Sequence, residues 1–167
     1  NIGIYSVHAA LQGANVEAFE PEPTNLTFLK TNLLNNNCLD RVHIHACAVG
    51  SSNGVQKLQL SENSGLHSLK RDVVRQATLE LDVNVCSLDY ALVDHSSPTN
   101  RIVAIKVDTE GFETEVLRGS SSIIQRFKPV WMVEYWRQGL PTEPEVIQFE
   151  EQLRMAGDYI YAVEENR

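Results

Sequence analysis

Residues 102–113 read IVAIKVDTEGFE, a nearly continuous apolar run that gives way to acidic residues around a glycine. Apolar runs of this kind are typical of a parallel strand that is covered on both faces. Phe112, Val116 and Ile124 then recur at helical spacing, and Pro129 ends that pattern. The segment therefore predicts a strand near the centre of a sheet, followed by one helix that ends before Pro129.

Helical and strand periodicities alternate along the rest of the chain. Helices are predicted over residues 4–11 and 26–33, and from a capping box at Thr142 and Glu145 to Gly157, and strands over 16–20, 42–46, 130–134 and 159–163. Strands that alternate with helices predict an α/β protein, with a Rossmann-like, mostly parallel sheet and helices on both faces.

Two features modify this plan. Residues 55–60 and 79–85 alternate with period two, so we predict an antiparallel insertion around residues 55–85 with a long polar loop. A sheet of this kind normally begins with a strand that leads into its glycine loop, and no such strand precedes Gly3. We therefore expect residues 1–167 to form one domain whose first strand is missing from this chain.

Composition limits the classes of partner. The 14 Lys and Arg residues against 22 Asp and Glu residues give a net charge of −8 with no basic run, which argues against nucleic acid. No apolar run approaches the ~20 residues that span a bilayer. Three cysteines without a C-x-x-C spacing are typical of reduced thiols rather than a zinc site. We predict a soluble, cytoplasmic protein.

Carboxylates follow three of the predicted strands, at the edge where ligands bind in open α/β sheets. Glu20 is placed either to hold a ribose diol or simply to lie exposed at a strand end. Asp108, Glu110 and Glu134 follow two later strands and can orient a hydroxyl, accept its proton or hold a cation. Helix capping is the alternative, and it explains one of these three carboxylates but not all of them.

Histidines and a serine supply further candidates. His67 and Ser68 lie in the long polar loop, where they either reach across the crevice or remain solvated. His43 and His45 alternate with apolar residues and so share one face of a strand. We interpret His43 and His45 as structural or surface residues rather than metal ligands.

The ordered blocks of the chain resemble the FkbM family of methyltransferases. These blocks are Asn1-Ile2-Gly3, Phe19-Glu20-Pro21, Ala48-Val49-Gly50, Ser87-Leu88-Asp89, residues 108–113 and Val133-Glu134, of which the Asp-x-Glu-Gly-Phe-Glu block is the most specific. The family has Asp-x-Gly-Ala before the first block, and this chain does not. The resemblance implies a class I methyltransferase that uses S-adenosylmethionine and typically methylates a hydroxyl oxygen of a sugar or small metabolite.

The resemblance also implies roles for individual residues at the cofactor. Asn1 and Gly3 would surround its methionine part, Glu20 in the Phe-Glu-Pro block with Pro21 would hold its ribose, and Cys47 and Ala48 would lie beside its adenine.

Other residues would face the acceptor. Asp108 would border both the cofactor amine and the acceptor, while Glu110, Glu134 and Ser68 would form the acceptor wall. Asp108 or Glu110 is then the candidate base. A divalent cation on Asp108, Glu110 and Glu134 is the variant mechanism, although no metal is expected.

Two other functions are alternatives to the methyltransferase hypothesis. One is a non-catalytic or truncated Rossmann-like binding module. The other is a nicotinamide dehydrogenase, because Glu20 suits any adenosine ribose, but the chain has no full G-x-G-x-x-G.

Overall fold

The computed structural model describes residues 1–61, 67–70, 79–93, 101–134 and 143–157. The helices in these ranges are α1 Ile4–Leu11, α2 Pro23–Asn35, α3 Glu113–Arg118, α4 Ser121–Phe127 and α5 Glu143–Ala156, with a 3₁₀ turn at Leu39–Arg41 and a π turn at Asp89–Val93. The strands are β1 Val16–Phe19, β2 Val42–His45, β3 Ala48–Val49, β4 Gly54–Leu60, β5 Leu79–Cys86, β6 Ala104–Val107 and β7 Val130–Val133.

Most of the strand pairs are parallel. β1 pairs with β2, β3 with β5 and β6 with β7 in parallel, while β4 and β5 form the predicted antiparallel hairpin. Within the described ranges these strands form three hydrogen-bonded sheets rather than one. The predicted α/β class with mostly parallel pairing is confirmed. β3 has only two residues, too few to show a periodicity, and it was not predicted.

The first two helices cover one face of the β1–β2 pair. Ala10 of α1 and Leu29 and Leu33 of α2 pack on Ala18 and Val42 in one buried cluster. Because side chains alternate along a strand, the residues between these positions point to the opposite face. Phe19 on that opposite face packs instead against a second cluster that contains Val107 and Val116.

The single long helix predicted after β6 is wrong. It is two helices, α3 and α4, which are separated at Gly119 and Ser120. A Cβ atom on Gly119 would lie 2.1 Å from the carbonyl oxygen of Gly50, so the chain passes too close to another backbone segment for any side chain. Asp89 Oδ2 and Oδ1 accept hydrogen bonds from Ser122 N and Ile123 N and cap the start of α4.

Burial of β6 on both faces was also predicted, and it is wrong. Val130 and Met132 are 71% and 51% exposed, and Ala104, which pairs with Val130, is exposed too, so one face of the β6–β7 pair is open. Among the described strands, β6 pairs with β7 alone and is therefore not central to its sheet. An apolar run shows that a segment is hydrophobic, but it does not show which other elements pack against it.

The carboxyl end of the chain is partly described. Helix α5 ends before Gly157, as predicted. The predicted strand at 159–163 lies outside the described residues, as does Thr142 of the predicted capping box. No helix within the described ranges is long and apolar enough to cross a bilayer.

Candidate active site

The loop between β6 and α3 has an unusual backbone that one buried carboxylate holds in place. Glu110 and Gly111 have positive φ angles of 53° and 91°. Glu113 Oε1 accepts hydrogen bonds from Thr109 N at 2.7 Å, Thr109 Oγ1 at 3.0 Å and Gly111 N at 3.3 Å. Glu113 is itself buried. A carboxylate that accepts several hydrogen bonds is a strong brace, so Glu113 fixes the direction of the neighbouring acidic side chains.

The antiparallel insertion supports the same loop from the other side. Ser68 is buried, and its hydroxyl donates to the carbonyl oxygen of Glu110 at 2.7 Å while accepting from Lys70 N at 3.0 Å. Main-chain hydrogen bonds to Gln59 hold Ser68 beside β4. The Ser68 hydroxyl therefore reaches the site through the main chain of Glu110. His67 lies next to it, and its Nδ1 accepts from Ser61 N at 3.1 Å.

Three carboxylates converge at the ends of β6 and β7. One oxygen from each of Asp108, Glu110 and Glu134 lies within 4.8 Å of the others, close enough for a shared cation. Lys106 Nζ lies 2.5 Å from Asp108 Oδ2 and 4.4 Å from the centre of the Tyr5 ring. The cluster thus combines three acidic groups with one cation that α1 helps to position.

The three carboxylates do not titrate alike. Burial, with the Asp108 and Glu113 charges, raises the pKa of Glu110 to about 7. Burial, with the charge and hydrogen bond of Asp108, raises the pKa of Glu134 to about 7. Burial also raises the pKa of Asp108, but Lys106 and the hydrogen bond from Glu134 outweigh it, so that the net shift is downward. Asp108 therefore holds its charge most readily of the three, and Glu110 and Glu134 take up protons more readily than ordinary glutamates.

Glu20, the carboxylate that follows β1, is buried. Glu20 is 6% exposed, and its Oε1 accepts from Glu22 N at 2.8 Å. Its Oε2 contacts the backbone nitrogen of Asn1, which is also within electrostatic range of Asp108. Asn1 therefore lies between Glu20, at the end of β1, and Asp108, which follows β6. Glu22 caps α2 by accepting from Asn25 N at 2.6 Å, with Pro23 as the first helical residue.

The loop before α1 is shaped by Gly3. Gly3 has a φ of 92°, and a Cβ atom there would lie 2.4 Å from Leu29 Cδ1. The side-chain amide of Asn32 donates to the carbonyl oxygen of Ile2 at 2.8 Å. Contacts with Leu29 and Asn32 of α2 therefore hold the Asn1–Gly3 segment in place, and this sets the position of Asn1 beside Glu20.

Cys47 and Ala48 follow β2, at the same edge as Glu20. The Ala48 side chain is buried in a cluster with Leu58 and Val83, so it faces the interior. Cys47 Sγ lies 3.2 Å from Cys86 Sγ, and that contact, together with burial, raises the pKa of the Cys47 thiol. Cys47 is therefore a protonated, half-buried thiol.

The sequence indicated most of this constellation, and the structure adds three residues to it. Asp108, Glu110 and Glu134 meet in space, Asn1 and Glu20 touch, and Ser68 reaches the cluster indirectly. Lys106, Glu22 and Glu113 were not singled out from the sequence. Glu113 is the last residue of the most specific block. Its position close in sequence to Thr109 and Gly111 could have indicated that its carboxylate accepts hydrogen bonds from this loop.

The parallel strand pairs, with carboxylates gathered after their carboxyl ends, are those of a Rossmann-like α/β protein. A family model described as the methyltransferase FkbM domain matches residues 1–163. The chain belongs to this family.

Individual relatives agree with that assignment. Methyltransferase sdnD of Sordaria araneosa is 30% identical over 147 residues, which cover 71% of this chain and 57% of that protein. The crystal structure of methyltransferase FkbM from Methylobacillus flagellatus KT is similar in fold, with a TM-score of 0.60 and 19% identity over 92% of this chain and 35% of that chain. This chain thus spans little more than half, and about a third, of the length of these relatives.

Proposed function

We propose that this chain transfers a methyl group from S-adenosylmethionine to a hydroxyl oxygen of a sugar or small metabolite. The proposal rests on the proximity of Asp108, Glu110 and Glu134 to one another, after the carboxyl ends of β6 and β7, with Glu20 after the carboxyl end of β1. Membership of the FkbM family and the name of the relative from Sordaria araneosa support methyl transfer.

The residues of the crevice fit this cofactor chemically. S-adenosylmethionine carries a positive sulfonium and an ammonium group, which suit the negative charge gathered on Asp108, Glu110 and Glu134 and on the nearby Glu20. Each carboxylate oxygen has two acceptor sites, so Glu20 keeps acceptor capacity for a ribose diol beyond its contacts with Glu22 N and Asn1 N. When bound, the cofactor supplies an already activated methyl group.

The protein must then align the acceptor oxygen and assist the loss of its proton. Glu110 is our candidate base because its pKa of about 7 suits proton transfer near neutral pH. Glu134 shares its proton with Asp108 through a hydrogen bond and is less free to accept another. Asp108 stays ionised and orients the cationic and hydroxyl groups around it.

A divalent cation is the second way in which the same cluster can act. The three carboxylate oxygens within 4.8 Å of one another suit a hard cation, which would lower the pKa of the acceptor hydroxyl instead of removing its proton directly. Dependence of turnover on added chelator separates the two mechanisms.

Calorimetry of cofactor binding tests the ribose assignment. For Glu20→Ala we expect a loss of about 1.5–3 kcal/mol in affinity for S-adenosylmethionine, the usual contribution of hydrogen bonds to a charged group. Glu151→Ala on the exposed face of α5 is the matched control and should bind normally. Equal affinities of the two variants would reject the role of Glu20.

A screen of sugars and hydroxylated metabolites with an isotopically labelled methyl donor tests the reaction itself. Transfer of label to a hydroxyl oxygen supports the proposal, and transfer to nitrogen or carbon would contradict the acceptor class. Cofactor binding without transfer to any acceptor would favour the alternative of a non-catalytic binding module.

A further inference from the structure

A second cluster of potential metal ligands lies on the face of the β1–β2 pair opposite to α1 and α2. The strand register sets Glu17 opposite His43, and Phe19 opposite His45. Since side chains alternate, all four project to the face that α1 and α2 do not cover. Two imidazoles and one carboxylate are thus gathered on two hydrogen-bonded strands, outside the acidic site described above.

The distances between these groups suit a shared ion. Glu17 Oε2 lies 2.9 Å from His43 Nδ1 and 2.7 Å from His45 Nε2, and the three atoms are all within 4.8 Å of one another. In a tetrahedral zinc site with bonds of about 2.0–2.1 Å, neighbouring ligand atoms are about 3.3 Å apart. Small side-chain rotations therefore convert the hydrogen-bonded arrangement into a coordinating one.

The surroundings hold His45 in place and leave the outer side of the cluster accessible. The His45 ring stacks on Phe19 with 4.2 Å between ring centres and 6° between planes, and it is 19% exposed. His43 is 70% exposed and Glu17 42% exposed, so the outer side is open to solvent. A site with three protein ligands and an open position is the arrangement of an accessible zinc centre.

We propose that Glu17, His43 and His45 form a binding site for a transition-metal ion of the zinc class. Two imidazole nitrogens with one carboxylate favour zinc, copper, nickel or iron over magnesium and calcium, which prefer oxygen ligands. The ion would cross-link β1 and β2 immediately before Glu20, whose main-chain nitrogen donates to the carbonyl oxygen of His45. This inference does not depend on the proposed methyl transfer.

Titration of the chelator-treated protein with Zn²⁺ by calorimetry, and with Co²⁺ by visible absorption, tests the site. We expect one ion per chain to bind at this site, and a cobalt spectrum without a sulfur charge-transfer band. His43→Ala and His45→Ala should each weaken binding by at least about 10-fold, the lower end of what even indirect partners of a ligand contribute. His43→Gln and His45→Gln, which keep more of the side-chain volume, should lose binding equally while their circular dichroism stays unchanged.

Two controls separate this site from the other ligands in the chain. His8→Ala removes an exposed histidine of α1, and Glu110→Gln removes one carboxylate of the acidic cluster, and both should bind Zn²⁺ normally. The proposal fails if the parent protein binds neither ion, if Glu110→Gln loses binding while His43→Ala keeps it, or if cobalt shows thiolate ligands. Each of these failures would leave the proposed methyl transfer untouched, because its tests measure cofactor binding and label transfer.

Discussion

The hydroxyl of Ser68 donates a 2.7 Å hydrogen bond to the main-chain carbonyl of Glu110, across 42 residues of sequence. Ser68 is held beside β4 by paired main-chain bonds to Gln59, so the antiparallel insertion supports the acidic loop directly. Glu113 braces the same loop from within α3. The left-handed conformation of Glu110 is therefore fixed from two independent directions, which keeps its carboxylate near Asp108.

Ser68→Ala should destabilise the protein by about 1–3 kcal/mol, because it removes both hydrogen bonds of a buried hydroxyl, the one donated to Glu110 O and the one accepted from Lys70 N. Denaturant unfolding measures this change. Ser121→Ala is the matched control, since its hydroxyl makes one long, exposed bond to Arg118 O and its loss should cost less than about 0.5 kcal/mol. Equal losses in the two variants would show that Ser68 does not support the loop.

Glu113→Gln should also lower the free energy of unfolding, by about 1–3 kcal/mol, because the neutral amide is a weaker acceptor for Thr109 and Gly111. Glu115→Gln on the same helix removes a partly exposed ion pair with Arg118 and should cost no more than about 1 kcal/mol. Thermal and denaturant unfolding of both variants give the comparison. A smaller loss in Glu113→Gln than in Glu115→Gln would contradict the brace.

Asp89→Ala should cost about 0.5–2 kcal/mol of stability, the usual effect of removing a helix cap. Its two carboxylate oxygens accept from Ser122 N and Ile123 N at the start of α4. Asp89→Asn should retain part of that stability, because asparagine keeps one of the two acceptor oxygens. If Asn and Ala prove equally destabilising in denaturant unfolding, the capping role is excluded.

The sequence predicted those features that rest on local chemistry. Period-two alternation located the β4–β5 hairpin, and the acidic residues after β6 located the site. The break at Gly119 was missed because it depends on the approach of Gly50, which is 69 positions away in the chain. The exposed face of Val130 and Met132 was missed for the same reason, since burial is decided by neighbours that the local pattern does not show.

In the candidate sites, too, the residues marked by local sequence were predicted and those brought together by distant segments were not. Glu20, Asp108, Glu110 and Glu134 were recognisable because each follows a strand. The cluster of Glu17 with His43 and His45 was not, because strand periodicity shows that the two histidines share a face but does not show what lies opposite them. Only the register of β1 against β2 brings Glu17 to them.

The rate of methyl transfer should rise with pH through about 7 and level off above it. Glu110 can accept a proton only when ionised, and its raised pKa of about 7 sets the midpoint, whereas an ordinary glutamate would be ionised above about 4.3. Glu110→Gln should lower the rate by ~10²–10⁴ and abolish this dependence. Glu115→Gln should retain both, and a midpoint that survives in Glu110→Gln would assign the base elsewhere.

Asp108→Asn distinguishes three roles for Asp108: a charge that raises the pKa of its neighbours, a catalytic base and a helix cap. The Asp108 charge helps to raise the pKa of Glu110 and of Glu134, so its removal should move the midpoint of the pH–rate profile below about 7.

If Asp108 were itself the base, the rate would fall by ~10²–10⁴ at every pH. If it were only a cap, Asn would replace it and neither quantity would change. The profile is measured with the labelled methyl donor, and repeated with excess chelator on the parent protein. Inhibition of the parent by chelator would point instead to a cation shared by Asp108, Glu110 and Glu134, because the carboxylates would then act as its ligands and not through their own protons.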